Sequence, residues 1–160
     1  MDKIIKFEFV KRYLESPYFG AEGKTTRLPE RSTKHAAGYD FYNPETVSIN
    51  PGEIVYVKTG VKAKFPEEVA LLLLNRSSNP KKKGLELANG VGLVDADYYD
   101  NPDNEGEIAF AFKNTRDYTI TIEEGEKLGQ GMFVPFFITN DDSAEIKAMD
   151  RKGGFGSSGA

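Results

Sequence analysis

Hydrophobicity in this chain alternates with a period of two, in runs that glycine and proline keep short. In KIIKFEFV, Ile5, Phe7 and Phe9 fall on one side and Lys6 and Glu8 on the other. In EIAFAF, Ile108, Phe110 and Phe112 share one face and the small Ala109 and Ala111 the other. TVSINPGEIVYVKTGVKAKF holds two alternating runs joined by the turn signal Asn50-Pro51-Gly52. YTITIEEGEKLGQGMFVPF repeats the pattern around a glycine-bearing break. VALLLLN is apolar until Asn75, as in a strand buried on both faces. No window carries a long helical stripe; residues 11–19 allow a turn or two of helix, which Pro17 limits. Sixteen glycines and eight prolines punctuate the runs. Many short strands between turn signals predict an all-β sandwich or barrel.

A length of 160 residues, 39% of them hydrophobic and 29% charged, suits one soluble domain with a sizeable core. The net charge of -4 argues against broad nucleic-acid binding, yet leaves room for a local basic pocket that takes a phosphorylated small molecule. The absence of cysteine excludes a disulfide framework and a thiolate site. No apolar run approaches the ~18–20 residues of a membrane span. MDKIIKFEFV is too short an apolar run for a secretory signal, so the expected address is cytoplasmic. The expected organisation is a β domain over residues 1–148 and a flexible glycine-rich arm over 149–160.

Some stretches invite readings that their spacing does not support. GAEGKTT has two residues between Gly20 and Gly23 where a phosphate-binding P-loop needs four. His35 is the only histidine, which rules out a histidine-cluster metal site and a Ser-His-Asp triad. The acidic stretch from Asp95 to Glu107 lacks EF-hand spacing and reads as a solvated excursion between strands. Lys81, Lys82 and Lys83 read as a solvated turn, with a part in an anion site as the alternative.

Four other stretches belong together: HAAGYDF, NRSSNPKKKGLELANGVGLVDADY, KLGQGMFVPF and RKGGFGSSG. In that order they resemble the five motifs of the trimeric dUTP pyrophosphatase (dUTPase) family, over about residues 27 to 159. The resemblance implies a jelly-roll-like subunit, a homotrimer with shared active sites, and Mg²⁺-dependent hydrolysis of dUTP to dUMP and pyrophosphate. It implies no membrane or nucleic-acid partner. DYYDNPDNEGE lengthens the third motif, as in enzymes of Gram-positive bacteria and their phages. That insertion leaves open a phage-type regulatory protein partner, with a nucleotide-sensing regulator as an alternative function. The other alternative is dCTP deaminase, a relative with a similar RSS motif, although the glutamate pattern it needs does not follow VDADY.

The residue types suit that chemistry. Asp95 ends an apolar strand-like run, where a rigid scaffold can aim its carboxylate at a water. By the resemblance it is the general base, and Asp97 is the better turn-capping aspartate. Arg76 offers a planar charged fork and Ser77 a short donor for phosphate. Ser78 stands where the family has Gly or Ser and contributes backbone, and Gln130 matches a further phosphate contact. ANGVG reads as a hairpin with Asn-Gly as its turn signal. The resemblance makes it the uracil pocket, with Asn89 and the backbone around Gly90 and Gly92 as readers. It places Tyr98 under the deoxyribose, excluding a 2′-hydroxyl. Asp40 matches the first-motif aspartate, acting on Mg²⁺ through water. The resemblance implies that the arm lays Phe155 on uracil and brings Gly156 and Ser157 over the phosphates. Arg151 stands four positions before Phe155 where the family arginine stands five, so the spacing leaves open whether Arg151 or Lys152 meets the γ-phosphate.

Overall fold

The alternating runs do become strands, but among the described residues none of them pairs with its neighbour in sequence. A computed structural model describes residues 3–17, 19, 20 and 27–142. The expected arm over 149–160, with Arg151, Phe155, Gly156 and Ser157, lies outside the described residues. The strands are β1 (Lys6–Phe9), β2 (Tyr39–Tyr42), β3 (Val47–Ile49), β4 (Ile54–Lys58), β5 (Val61–Lys64), β6 (Val69–Leu74), β7 (Leu85–Leu87), β8 (Gly92–Val94), β9 (Ala109–Asn114), β10 (Ile120–Ile122) and β11 (Lys127–Pro135). One helical turn, α1 (Lys11–Leu14), follows β1. All pairings are antiparallel: β2-β11-β6-β8 in one sheet, β4-β9-β7 in a second, and the two-stranded ribbons β1-β5 and β10-β3. This is the all-β, jelly-roll type of architecture.

The core lies between the sheets. Phe110 and Phe112 of β9 point inward, as their alternation predicts, and are fully buried. Phe41 of β2 meets Phe110 edge-on at 5.3 Å, joining the four-stranded sheet to the three-stranded one. The glycines of KLGQG make room for those rings. A Cβ on Gly129 would stand 2.4 Å from Phe110 Cε1, and one on Gly131 would stand 2.9 Å from Phe41 Cε2. The register of β11 against β2 shifts between Lys127 and Gln130, and such bulges re-aim side chains.

Three expectations need correction. Leu71 and Leu73 of β6 are buried, but Leu72 and Leu74 on the other face are only half-covered, so this strand is not buried on both faces. Ile5 is largely exposed, unlike Phe7 and Phe9. The third concerns ANGVG, read as a hairpin; the Asn50-Pro51-Gly52 turn does join two successive strands, as expected. Asn50-Pro51-Gly52 links β3, which pairs with β10, to β4, which pairs with β9. ANGVG links β7, on β9, to β8, on β6. The turn itself forms, with Gly90 at φ +73° and its N–H on the Leu87 carbonyl at 3.0 Å. Its flanking strands then part into different sheets, so ANGVG is a corner and not a hairpin. Asn-Gly sets the local backbone, while burial of each strand's apolar face chooses the partner.

Candidate functional site

β6 carries the candidate residues at its two ends. Beyond its C-terminal end, a loop is bolted down by two asparagines. Asn75 donates to the Leu85 carbonyl at 3.0 Å, and its Oδ1 accepts the Arg76 N–H at 2.9 Å and Asn79 Nδ2 at 2.8 Å. Asn79, 1% exposed, also donates to the Leu128 carbonyl at 2.8 Å. Ser77 is exposed, and Arg76 and Ser78 are half-buried on this fixed backbone. The helical turn Asn79–Lys83 follows and ends at Gly84, φ +68°. Arg116 holds it there by donating Nη2 to the Lys81 carbonyl at 2.6 Å.

Gln130 joins the same corner. In register it lies between Leu74 on one side and Asp40 on the other. Its Nε2 donates to the Asn75 carbonyl at 3.2 Å, and its Oε1 rests over Gly38. A Cβ on Gly38 would come within 2.3 Å of that oxygen, so only glycine leaves the amide where it is. The Asp40 carboxylate, 13% exposed, sits 3.1 Å from Lys127 Nζ. Among the described residues, no group of three or more histidine, aspartate or glutamate side chains could hold a metal ion. One carboxylate already paired with an ammonium suits a hydrated hard cation that arrives on its ligand, not one caged by protein.

At the other end of β6, β8 delivers Asp95. Asn89, Gly90 and Gly92 lead into this strand, and Asp95 follows it with an extended backbone, capping the single 3₁₀ turn Ala96–Tyr98. The Tyr98 N–H donates to the Asp95 carbonyl at 3.1 Å. Asp95 and the corner residues Asn89 and Gly90 are exposed, whereas Gly92 packs against Leu73. Tyr98 is 2% exposed. Its hydroxyl donates to the Glu107 carbonyl at 2.7 Å and accepts Asn104 Nδ2 at 2.9 Å. The ring is therefore a clamped wall, not a free polar contact.

The polar stretch after Tyr98 is an ordered loop, not a loose excursion. Lys62, 7% exposed, reaches Asp100 Oδ1 at 2.5 Å and Glu105 Oε2 at 2.7 Å. Burial disfavours the Lys62 charge, but these hydrogen bonds outweigh it and hold the ammonium well above its usual range. The same bond from Lys62, opposed by burial and helped by the Lys11 N–H, holds the Glu105 carboxyl below its usual range. Arg12 donates two hydrogen bonds to Glu107, whose Oε2 also accepts the Gly60 N–H at 2.9 Å. The hydrogen bond to Glu107, working against burial, holds Arg12 above its usual range.

The structure thus assembles Asp40, Arg76, Ser77, Ser78 and Gln130 at one corner, and Asp95 and Tyr98 elsewhere. Val94 pairs with Leu71 near the start of β6, while Arg76 lies beyond the end of that strand at Leu74. At about 3.3 Å per residue the two groups stand roughly 16–20 Å apart along the strand. Sequence reading missed Gly38, Asn75, Asn79, Asn104 and Arg116. The flanking asparagines of NRSSN were the one visible hint.

Comparison with known proteins points in one direction. The dUTPase family model matches residues 24–159. The deoxyuridine 5'-triphosphate nucleotidohydrolase of Lactococcus lactis subsp. lactis (strain IL1403) is 46% identical over 158 residues, covering 99% of each chain. A dUTPase crystal structure from Streptococcus mutans superposes with a TM-score of 0.75 at 46% identity, covering 84% of this chain and 98% of that one. A mutant dUTPase from phage phi11 of S. aureus, whose structure reveals the coordination of a structural Mg(II) ion, superposes with a TM-score of 0.67 at 26% identity, covering 89% of this chain and 97% of that one.

Proposed function

This chain belongs to the dUTPase family, and from that premise we propose a mechanism in which Asp95 activates water for in-line attack on the α-phosphate of dUTP, releasing dUMP and pyrophosphate. A carboxylate at the rigid end of β8 suits a general base. Arg76 and Ser77 hold phosphate oxygens from a loop fixed by Asn75 and Asn79, so little ordering is left for binding to impose. Gln130 adds a side-chain amide, and Ser78 a backbone group. Uracil is read at the Asn89-Gly90 corner and along the backbone to Gly92, where fixed donors and acceptors cannot swap polarity as a rotating amide can. Tyr98 underlies the deoxyribose. Asp40 would help hold a hydrated Mg²⁺ through water, and that ion, when bound, would supply neutralisation of the triphosphate charge. From the arm, Phe155 covers the base, Gly156 and Ser157 approach the phosphates, and Arg151 or Lys152 meets the γ-phosphate.

The observation that carries the oligomer is the gap of roughly 16–20 Å between Asp95 and Arg76 along β6. It supports a homotrimer in which one subunit supplies Asp95 and Tyr98 and a second supplies Arg76, Ser77 and Gln130. Subunit mixing tests this. Asp95→Asn and Arg76→Ala should each be inactive alone. Random mixed trimers restore both residues at roughly one site in four, so about a quarter of wild-type turnover should return. A mixture that stays at background refutes the shared site. Ammonia released from dCTP in place of pyrophosphate from dUTP would overturn the reaction itself.

A further inference from the structure

The loop 99–107 touches the proposed sugar wall directly. Asn104, carried by that loop, donates Nδ2 to the Tyr98 hydroxyl at 2.9 Å, while its Oδ1 accepts the Gly106 N–H at 3.0 Å. The hydroxyl in turn donates a hydrogen bond to the Glu107 carbonyl at 2.7 Å. Both partners are immobilised. Lys62 grips Asp100 and Glu105, the Lys11 N–H donates to Glu105 Oε1 at 2.9 Å, and the Tyr99 hydroxyl donates to Glu8 Oε1 at 2.9 Å. Glu107 is held by Arg12 and the Gly60 N–H. A phenol fixed at its far end by a donor and an acceptor can neither swing nor recede. Excluding one extra oxygen atom depends on that rigidity, because a ring free to retreat slightly makes room for it.

We propose that Asn104 is a positioning residue that locks Tyr98 and thereby sets the discrimination between deoxyribo- and ribonucleotide. This rests on the reading of Tyr98 as the surface under the deoxyribose. The loop is then part of substrate selection, not only a surface embellishment.

Asn104→Ser separates the two roles of this side chain. A serine hydroxyl still accepts the Gly106 N–H but is too short to reach Tyr98. The experiment measures kcat and KM for dUTP and for UTP in the wild type, N104S, Y98F and the double variant, with Tm for each. Wild-type hydrolysis of dUTP comes first; its absence would overturn the proposed function, and this inference with it. Given that activity, N104S should lower the dUTP-to-UTP ratio of kcat/KM about three- to tenfold, the worth of one neutral hydrogen bond. The shift should appear mainly in KM. Y98F should do the same, and the double variant should be no worse than Y98F. A lowered Tm with an unchanged ratio in N104S would overturn the inference, as would additive losses in the double variant.

Discussion

Replacing Gly38 by alanine should disable Gln130 without altering it. The new Cβ would stand 2.3 Å from Gln130 Oε1, 3.2 Å from Cδ and 3.3 Å from Cβ. The amide must therefore rotate away, breaking its 3.2 Å bond to the Asn75 carbonyl. That bond is worth about 0.5–1.5 kcal/mol net. Against it, alanine restricts the unfolded chain and stabilises by about 0.4–1 kcal/mol wherever the backbone accepts it. Gly38 has no positive φ, so it does. The two effects nearly cancel, and Tm should stay within a few degrees of wild type. Activity has no such compensation. A hydrogen bond to a charged phosphate is worth about 1.5–3 kcal/mol, so kcat/KM for dUTP should fall roughly 10- to 150-fold. Calorimetry and steady-state pyrophosphate release measure the two quantities. Gln130→Ala should show a similar loss, and the double variant should match Gln130→Ala alone. Wild-type kcat/KM in Gly38→Ala, or multiplied losses in the double variant, would show that the contact does not act through Gln130.

Gly106→Ala should be far more damaging to stability. At φ +80° its Cβ would meet the Tyr98 carbonyl oxygen at 2.3 Å, and backbone cannot rotate aside. Strain of about 1–2 kcal/mol plus overpacking of about 1–3 kcal/mol is expected. Gly52→Ala, at φ +73° with nothing within 4 Å, should show the strain alone, so equal losses in urea titrations would contradict the contact. The Glu105 carboxyl lies below its ordinary value of 4.5, so its stabilising effect is full above about pH 4.5 and disappears as acid titrates the folded state. The Tm gap between wild type and Glu105→Gln should therefore hold above about pH 4.5 and close as the pH is lowered further; a gap independent of pH would exclude the Lys62 pair as its source. Deleting residues 151–160 should leave circular dichroism unchanged and abolish most turnover. Full activity would return that segment to a plain linker.

Strand positions were legible because period-two alternation is local: Phe110 and Phe112 face inward for the reason EIAFAF suggests. Pairing was not. Asn50-Pro51-Gly52 and Asn89-Gly90 show where the chain bends, but which sheet receives the next strand depends on apolar faces far away in sequence. The site divides in the same way. Asp95, Arg76 and Gln130 stand in recognisable motifs, whereas their supports act across the chain. Asn79 binds the Leu128 carbonyl 49 residues away, and Arg116 binds the Lys81 carbonyl 35 residues away. An asparagine in a polar loop, such as Asn104, carries no mark of the tyrosine it holds. Gly38 was quoted within a motif, but its value lies in an empty volume that only Gln130 occupies.

Among the described residues, no strand pairs with the one before or after it. Leu73 pairs with Gly92 across about 20 residues, whereas Ile49 pairs with Ile120 and Tyr42 with Lys127 across about 70 to 85, so the pairings range from moderately to very non-local. A folding chain has no ready-made ribbon to build on, and its entropy is lost before any sheet rewards it. Folding should therefore be slow, on the scale of milliseconds to seconds. On the ribosome, β2 and β6 wait for β11, whose residues emerge last among the strands. The corner made by Gln130, Asp40 and the Arg76 loop is thus completed only once β11 has been made and has folded back between β2 and β6.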